Sequence, residues 1–140
     1  MVTNNASFQL FRLRSGTQIH GYMKFFLPSK PTFSRDKMWW TADTIEYSEK
    51  DTYVELNDIN QQWIFERDIV EMKPIHNRSD VFNATILFDE TQCGFTAIRN
   101  DTFSPIHVPE WSDYRFKIIS YLFINNDLQH VLTEKGWPSQ

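Results

Sequence analysis

Apolar and polar residues alternate along much of this chain, and the alternation predicts strands. Residues 7–14, S-F-Q-L-F-R-L-R, change character at nearly every step, as a half-buried strand does. Ser15-Gly16 marks a turn, and residues 17–26 read as the returning strand of a hairpin. Gly21 interrupts that strand and predicts a bulge or sharp bend. Pro28 and Pro31 make 27–36 a loop. Met38-Trp39-Trp40 and Ile45-Glu46-Tyr47 are short strand candidates, and residues 52–56, T-Y-V-E-L, are a better one. A polar turn at 57–60 separates these from strands expected at 62–65 and 67–72, with Asp68 shaping the entry to the second.

After a loop at 74–80, residues 81–88 (V-F-N-A-T-I-L-F) are the most convincing strand in the chain. A turn at 89–92 leads into a strand at 93–98, a second turn at Asn100-Asp101, and a proline-bounded strand at 103–108. Residues 109–113 predict a helix cap or a loop. Over 114–124 the alternation of Tyr114, Phe116 and Ile118 breaks at Ile119. The β-branched and aromatic content there favours strand over a short helix. The tail after Asp127 predicts one helical turn that frays at Gly136-Trp137-Pro138. The pattern as a whole implies a mainly β fold. A small curled sheet or an SH3-like or Sm-like β-barrel is expected, with a second small β element and at most one short helix. One domain over 1–140 is expected, with a hairpin region at 1–50 and a β region at 51–128.

Composition fits that picture. At 41% hydrophobic and 16% aromatic, 140 residues suffice for a core that hides roughly two-thirds of the unfolded surface. Only four glycines are present, so turns must rest on Asn, Asp, Ser and Pro. The single cysteine, Cys93, has no disulfide partner and reads as a core thiol in a strand. The N-terminus M-V-T-N-N-A-S lacks the basic head and apolar run of a signal peptide, so a reducing cytoplasm is expected. No apolar run approaches the ~18 residues of a membrane span. The Asn-X-Ser/Thr sequons at Asn5, Asn77, Asn83 and Asn100 read as products of an Asn-rich composition.

Charge changes the picture more. The net charge is −4, but residues 1–35 hold five bases and no acid, whereas residues 36–71 hold ten acids and three bases. Attraction between neighbouring elements explains this economically. The alternatives are an acidic face that imitates nucleic-acid phosphate, or a basic face that binds it. Trp39 and Trp40 are candidate anchors for a protein partner, since adjacent strand residues face opposite sides and one of them is expected outside. With Asp43, Glu46, Glu49, Asp51 and Glu55 they form the candidate protein-binding set. Arg12, Arg14, Lys24 and Arg35, interleaved with Phe8, Phe11, Tyr22 and Phe33, form the candidate single-stranded nucleic-acid platform.

Catalytic signatures are missing. His20, His76, His107 and His130 show no metal-ligand spacing. There is no G-x-S-x-G, and four scattered glycines build no phosphate loop. Carboxylate pairs such as Asp36/Asp43, Glu66/Asp68 and Asp89/Glu90 read as solvated edge and turn acids. No catalytic residue, metal or cofactor is expected.

Residues 53–70, Y-V-E-L-N-D-I-N-Q-Q-W-I-F-E-R-D-I-V, resemble the YopX family of bacteriophage and prophage proteins. Members carry a segment like T-G-L-x-D-x-x-G-x-x-I-Y-E-G-D-I-V. Leu56, Asp58, Ile64, Phe65, Glu66, Asp68, Ile69 and Val70 stand at the matching places. The strand ending Phe88-Asp89, the pair Gly94-Phe95 and the segment 118–128 continue the resemblance, which covers 53–128. Gln61 or Gln62, Arg67 and Ser120 stand where the family has glycine, and the first fifty residues do not follow its usual opening. The resemblance implies a mainly β fold, a phage or prophage origin and no active site to carry over. It points to a non-catalytic accessory protein in the bacterial cytoplasm that modulates a host protein. Counter-defence is the favoured form, inhibiting a nuclease, a restriction enzyme or a CRISPR effector. A single-stranded nucleic-acid binder and a phage structural or assembly component are the alternatives.

Overall fold

A computed structural model describes residues 8–26, 28–76 and 79–137. Ser7, Leu27, Pro138 and the sequons at Asn5 and Asn77 lie outside those residues. The opening alternation folds as the expected hairpin, β1 (Phe8–Ser15) and β2 (Gln18–Phe26). Gly16 takes the left-handed turn position at φ 60°. The register slips by one residue between Leu13 and Arg14, opposite His20 and Gly21, so the bulge is real. Gly21 has a further reason to be glycine. A Cβ there would lie 2.6 Å from the Ser34 carbonyl oxygen and 2.7 Å from the Ile45 side chain.

Short β3 (Thr32–Ser34) pairs with β2, and β4 (Glu49–Asn57) pairs with β1 on its other edge. Phe11, Leu13, Met23, Phe33 and Ile45 form the core on one face. The chain divides into two compact units, Met1–Tyr53 and Val54–Gln140, with β4 running through the division. In sheet order the first five strands run β3-β2-β1-β4-β5, where β5 is Trp63–Phe65.

The second unit holds β6 (Asp68–Pro74), β7 (Phe82–Asp89), β8 (Gly94–Arg99), β9 (Pro105–His107) and β10 (Tyr114–Tyr121). They form a second five-stranded sheet in the order β10-β6-β7-β8-β9. Strand alternation feeds two cores. Val70, Met72, Ala84, Ile86 and Ala97 join Val54, Ile64 and Trp111 in one cluster. Leu87, Ile98 and Leu122 meet Leu132 of the helix α1 (Asn126–Glu134) in another. Full burial of such aliphatic side chains is worth about 1.5–3 kcal/mol each.

The fold is mainly β with one short α-helix, as the pattern indicates; the two antiparallel sheets are open rather than closed into a barrel. Several local expectations are corrected. Residues 38–40 and 45–47 are loop, not strand. Residues 108–113 form a 3-10 turn and 122–124 another, after β10. The helix is nine residues long. Asn125 accepts from the Leu128 N–H, and Gly136 ends the helix at φ 89°. Trp137 does not fray; it packs on Leu132 and its neighbours. Cys93 is not in the core. It is exposed in the turn before β8, at φ 52°.

Scarce glycine has a cost. Among the described residues, six non-glycines adopt positive φ: Lys37, Glu55, Gln61, Arg67, Cys93 and Phe103. Arg67 is held there by backbone bonds on both sides, donating to the Ile86 carbonyl (2.7 Å) and accepting from the Leu122 N–H (2.8 Å). Two buried carboxylates organise the neighbouring turns. Asp58 accepts from the Asn60, Gln62 and Ile118 N–H groups at 2.9, 3.0 and 3.0 Å. Asp68 accepts from the Phe65 N–H at 2.8 Å. β10 carries a second slip between Ile118 and Ser120.

Candidate functional site

The antiparallel register sets Arg12 opposite Asp51 and Arg14 opposite Glu49. Residues two apart share a strand face, so all four side chains meet on one face. Asp51 is fully buried and accepts from Arg12 Nε at 2.9 Å and from Arg14 Nε at 2.9 Å, with a further bond from Arg14 Nη2 at 3.2 Å. Glu49 closes the set at 3.3 Å from Arg14 Nη1. Two guanidiniums thus balance two carboxylates within the first unit. Asp51 is therefore withdrawn from any partner-facing surface, and Arg12 and Arg14 from any phosphate-binding one.

The rest of the nucleic-acid platform is not assembled either. Phe11 and Phe33 are core residues. Tyr22 and Lys24 share the face of Arg12 by register, and the 35–40 loop covers them. Lys37 Nζ sits 5.2 Å from the Tyr22 ring centre, and Lys24 Nζ sits 4.2 Å from that of Trp40. Arg35 alone of the four bases is exposed.

The loop that does this covering is tied down by local hydrogen bonds. Phe33 and Thr41 exchange backbone hydrogen bonds of 2.8 and 2.9 Å, which pinch its base. Ser34 Oγ accepts from the Lys37 N–H at 2.9 Å. Asp36 Oδ1 accepts from the Met38 and Trp39 N–H groups at 2.8 and 2.9 Å. Those two bonds, Trp39's first, hold the Asp36 carboxyl below its ordinary value of 3.8. Lys37 takes positive φ at the tip. The result is a display: Met38 and Trp39 project with 80% and 79% of their surface exposed. Trp40 turns inward and donates its Nε1–H to the Lys37 carbonyl at 3.2 Å.

Beyond the loop, buried Ile45 anchors residues 41–48, so that Asp43, Glu46 and Tyr47 point outward around it. Two clefts meet at Arg35, Thr44 and Ile45. One, of about 350 Å³, is lined by Trp39, Asp36 and Asp43; the other, of about 560 Å³, by His20, Glu46 and Tyr47. The structure therefore brings Trp39, Asp43, Glu46 and Arg35 to one surface, with Glu49 at hand but engaged with Arg14. Glu55 belongs to the second unit. Met38 and Tyr47 stand out in the sequence only as strand candidates and Asp36 only as a solvated acid, and Ser34 does not stand out at all. The pattern Ser34-x-Asp36 is nonetheless a turn signal that marks this pair.

Chemically, this surface offers a large apolar ring at fixed position, two exposed carboxylates and shallow clefts. Such features suit protein docking. Among the described residues, no three His, Cys, Asp or Glu side chains converge as a metal site would require. No described helix is long and apolar enough to cross a membrane. No family model matches the chain, and no curated protein or solved structure matches it.

Proposed function

We propose that this chain is a non-catalytic accessory protein of a phage or prophage, which acts in the bacterial cytoplasm by binding a host protein. The contact surface is the loop face of the first unit, with Trp39 as anchor and Asp43 and Glu46 on the rim. The observation that carries the reading is the Trp39 ring, held outside by the Asp36 carboxylate rather than by a hydrophobic core. Ordering the loop before binding removes part of the entropy cost of association.

The phage origin rests on the YopX-like residues 53–70. It is supported by the backbone: Gln61, one of the two residues that can match a family glycine, and Arg67 keep positive φ, and Ser120 lies at the slip in β10. Counter-defence is the form we favour, with a nuclease, a restriction enzyme or a CRISPR effector as target, because exposed carboxylates beside an anchor ring suit a basic partner. The test is affinity capture from host lysate with wild type and Trp39→Ala at equal loading. Host protein retained by wild type and lost from the variant is expected. Equal retention by both would contradict the assignment.

A further inference from the structure

We infer that the second unit carries a separate binding groove for an acidic peptide segment, on the face of β6 and β10 that α1 leaves open. Period-two alternation puts Glu71, Lys73 and Ile75 on one side of the β6 segment, and Arg115 and Lys117 on one side of β10. The register sets Arg115 opposite Lys73, and Lys117 opposite Glu71. Their neighbours Met72 and Phe116 point the other way, into the core. Ile59 is brought alongside by its N–H, which donates to the Phe116 carbonyl at 2.9 Å, and by the Asp58 carboxylate, which accepts from the Ile118 N–H.

These residues enclose a cavity of about 260 Å³. Three cations face one carboxylate there, in a chain whose net charge is −4. Among the described residues, Lys73, Arg115 and Lys117 enter no ion pair, even though Glu71 lies on the neighbouring strand. Four arginines elsewhere are paired, Arg12 and Arg14 with Asp51, Arg67 with Glu66, and Arg99 with Asp101, whereas these three cations stand together on one face. The local excess of positive charge therefore sits where an outside anion can reach it.

The walls select the kind of anion. Ile59 and Ile75 are exposed aliphatic side chains at the groove. No exposed aromatic ring lines it, so the stacking that holds bases in single-strand grooves is missing. An extended peptide with acidic residues two apart and an aliphatic residue two further along, all on its one face, fits both features. Residues two apart repeat at about 6.7 Å, the same step as Lys73 from Glu71 and Lys117 from Arg115. Carboxylates would meet the cations while an aliphatic side chain lies against Ile59 and Ile75. The site is independent of the Trp39 loop, so either assignment stands if the other fails.

Fluorescence anisotropy tests this, using a labelled peptide that repeats Glu-Ser-Glu-Ser-Leu-Ser, with glutamate and leucine on one face. Its lysine–leucine counterpart and a labelled thymidine oligonucleotide serve as competitors for the assignment. Wild type and Trp39→Ala should bind the acidic peptide equally, more weakly as ionic strength rises through ~0.15 M. Lys73→Glu/Lys117→Glu should weaken it about tenfold or more. The gentler Arg115→Gln should give a smaller loss in the same direction, with melting temperatures unchanged for all. No binding of the acidic peptide by wild type, equal binding by the double variant, or tighter binding of the oligonucleotide would each overturn the inference.

Discussion

Asp51 holds two guanidiniums inside the first unit, and its carboxylate is the group they share. Removing one partner of a buried ion pair costs far more than the pair contributes, because the remaining charge stays desolvated. Asp51→Asn should therefore lower the unfolding free energy by about 3–5 kcal/mol. Asp43→Asn, on the exposed rim, should change it by less than about 0.5 kcal/mol. Denaturant midpoints of the two variants check this. The charge contrast between residues 1–35 and 36–71 was legible in the sequence. That Arg12, Arg14 and Asp51 would be buried was not, because strand alternation looks the same whether the polar face is wet or covered. A second residue-scale test concerns backbone strain. Exposed Gln61 sits at φ 63°, where a Cβ is unfavourable by about 1 kcal/mol. Gln61→Gly should raise thermal stability, while Gln62→Gly, which lacks positive φ, should lower it or leave it unchanged.

At the scale of elements, the 34–41 loop shows how local hydrogen bonds displace a strand. Met38, Trp39 and Trp40 have strand-like composition, yet the Ser34 and Asp36 side chains take the N–H groups that a ladder would use. Asp36→Ala should speed amide exchange at Met38 and Trp39 while leaving β1 and β2 protected, and partner capture should weaken with it. Unchanged exchange at both amides would mean the carboxylate does not hold the loop. The longer strands were readable because their cores repeat every second residue, as in Phe82, Ala84 and Ile86. The helix was underestimated because its apolar stripe is thin. Only Leu132 is fully buried, and Trp137 joins from beyond the helix end.

At the scale of the whole molecule, three carboxyls among the described residues titrate below their ordinary value of 3.8. Hydrogen bonds from Trp39 and Met38 hold down Asp36, and the Thr91 hydroxyl holds down Asp89. The Arg99 guanidinium, bonded at 3.0 and 2.9 Å, lowers Asp101 to about 2. A carboxyl with a depressed folded pKa stabilises the fold fully above its unfolded value and loses that contribution as pH falls through the folded one. Melting temperature should therefore be flat near neutrality and fall from about pH 4 downward. Carboxyl NMR should place the Asp101 midpoint near 2, moving up toward 3.8 in Arg99→Gln.

The mainly β class was visible from alternation and turn residues alone. The openness of the sheets was not, because closure depends on which edges meet rather than on what each strand contains. The proposed surface was half visible: Trp39, Asp43 and Glu46 were marked by type, but Asp51 proved internal, Glu49 pairs with Arg14, and Glu55 lies in the second unit. Trp39 is the proposed docking anchor, and titration of the captured host protein against wild type and Trp39→Ala measures its contribution directly. An anchor ring predicts an affinity loss of about 2 kcal/mol or more, roughly thirtyfold, with the melting temperature unchanged. Equal affinities for the two proteins would contradict it.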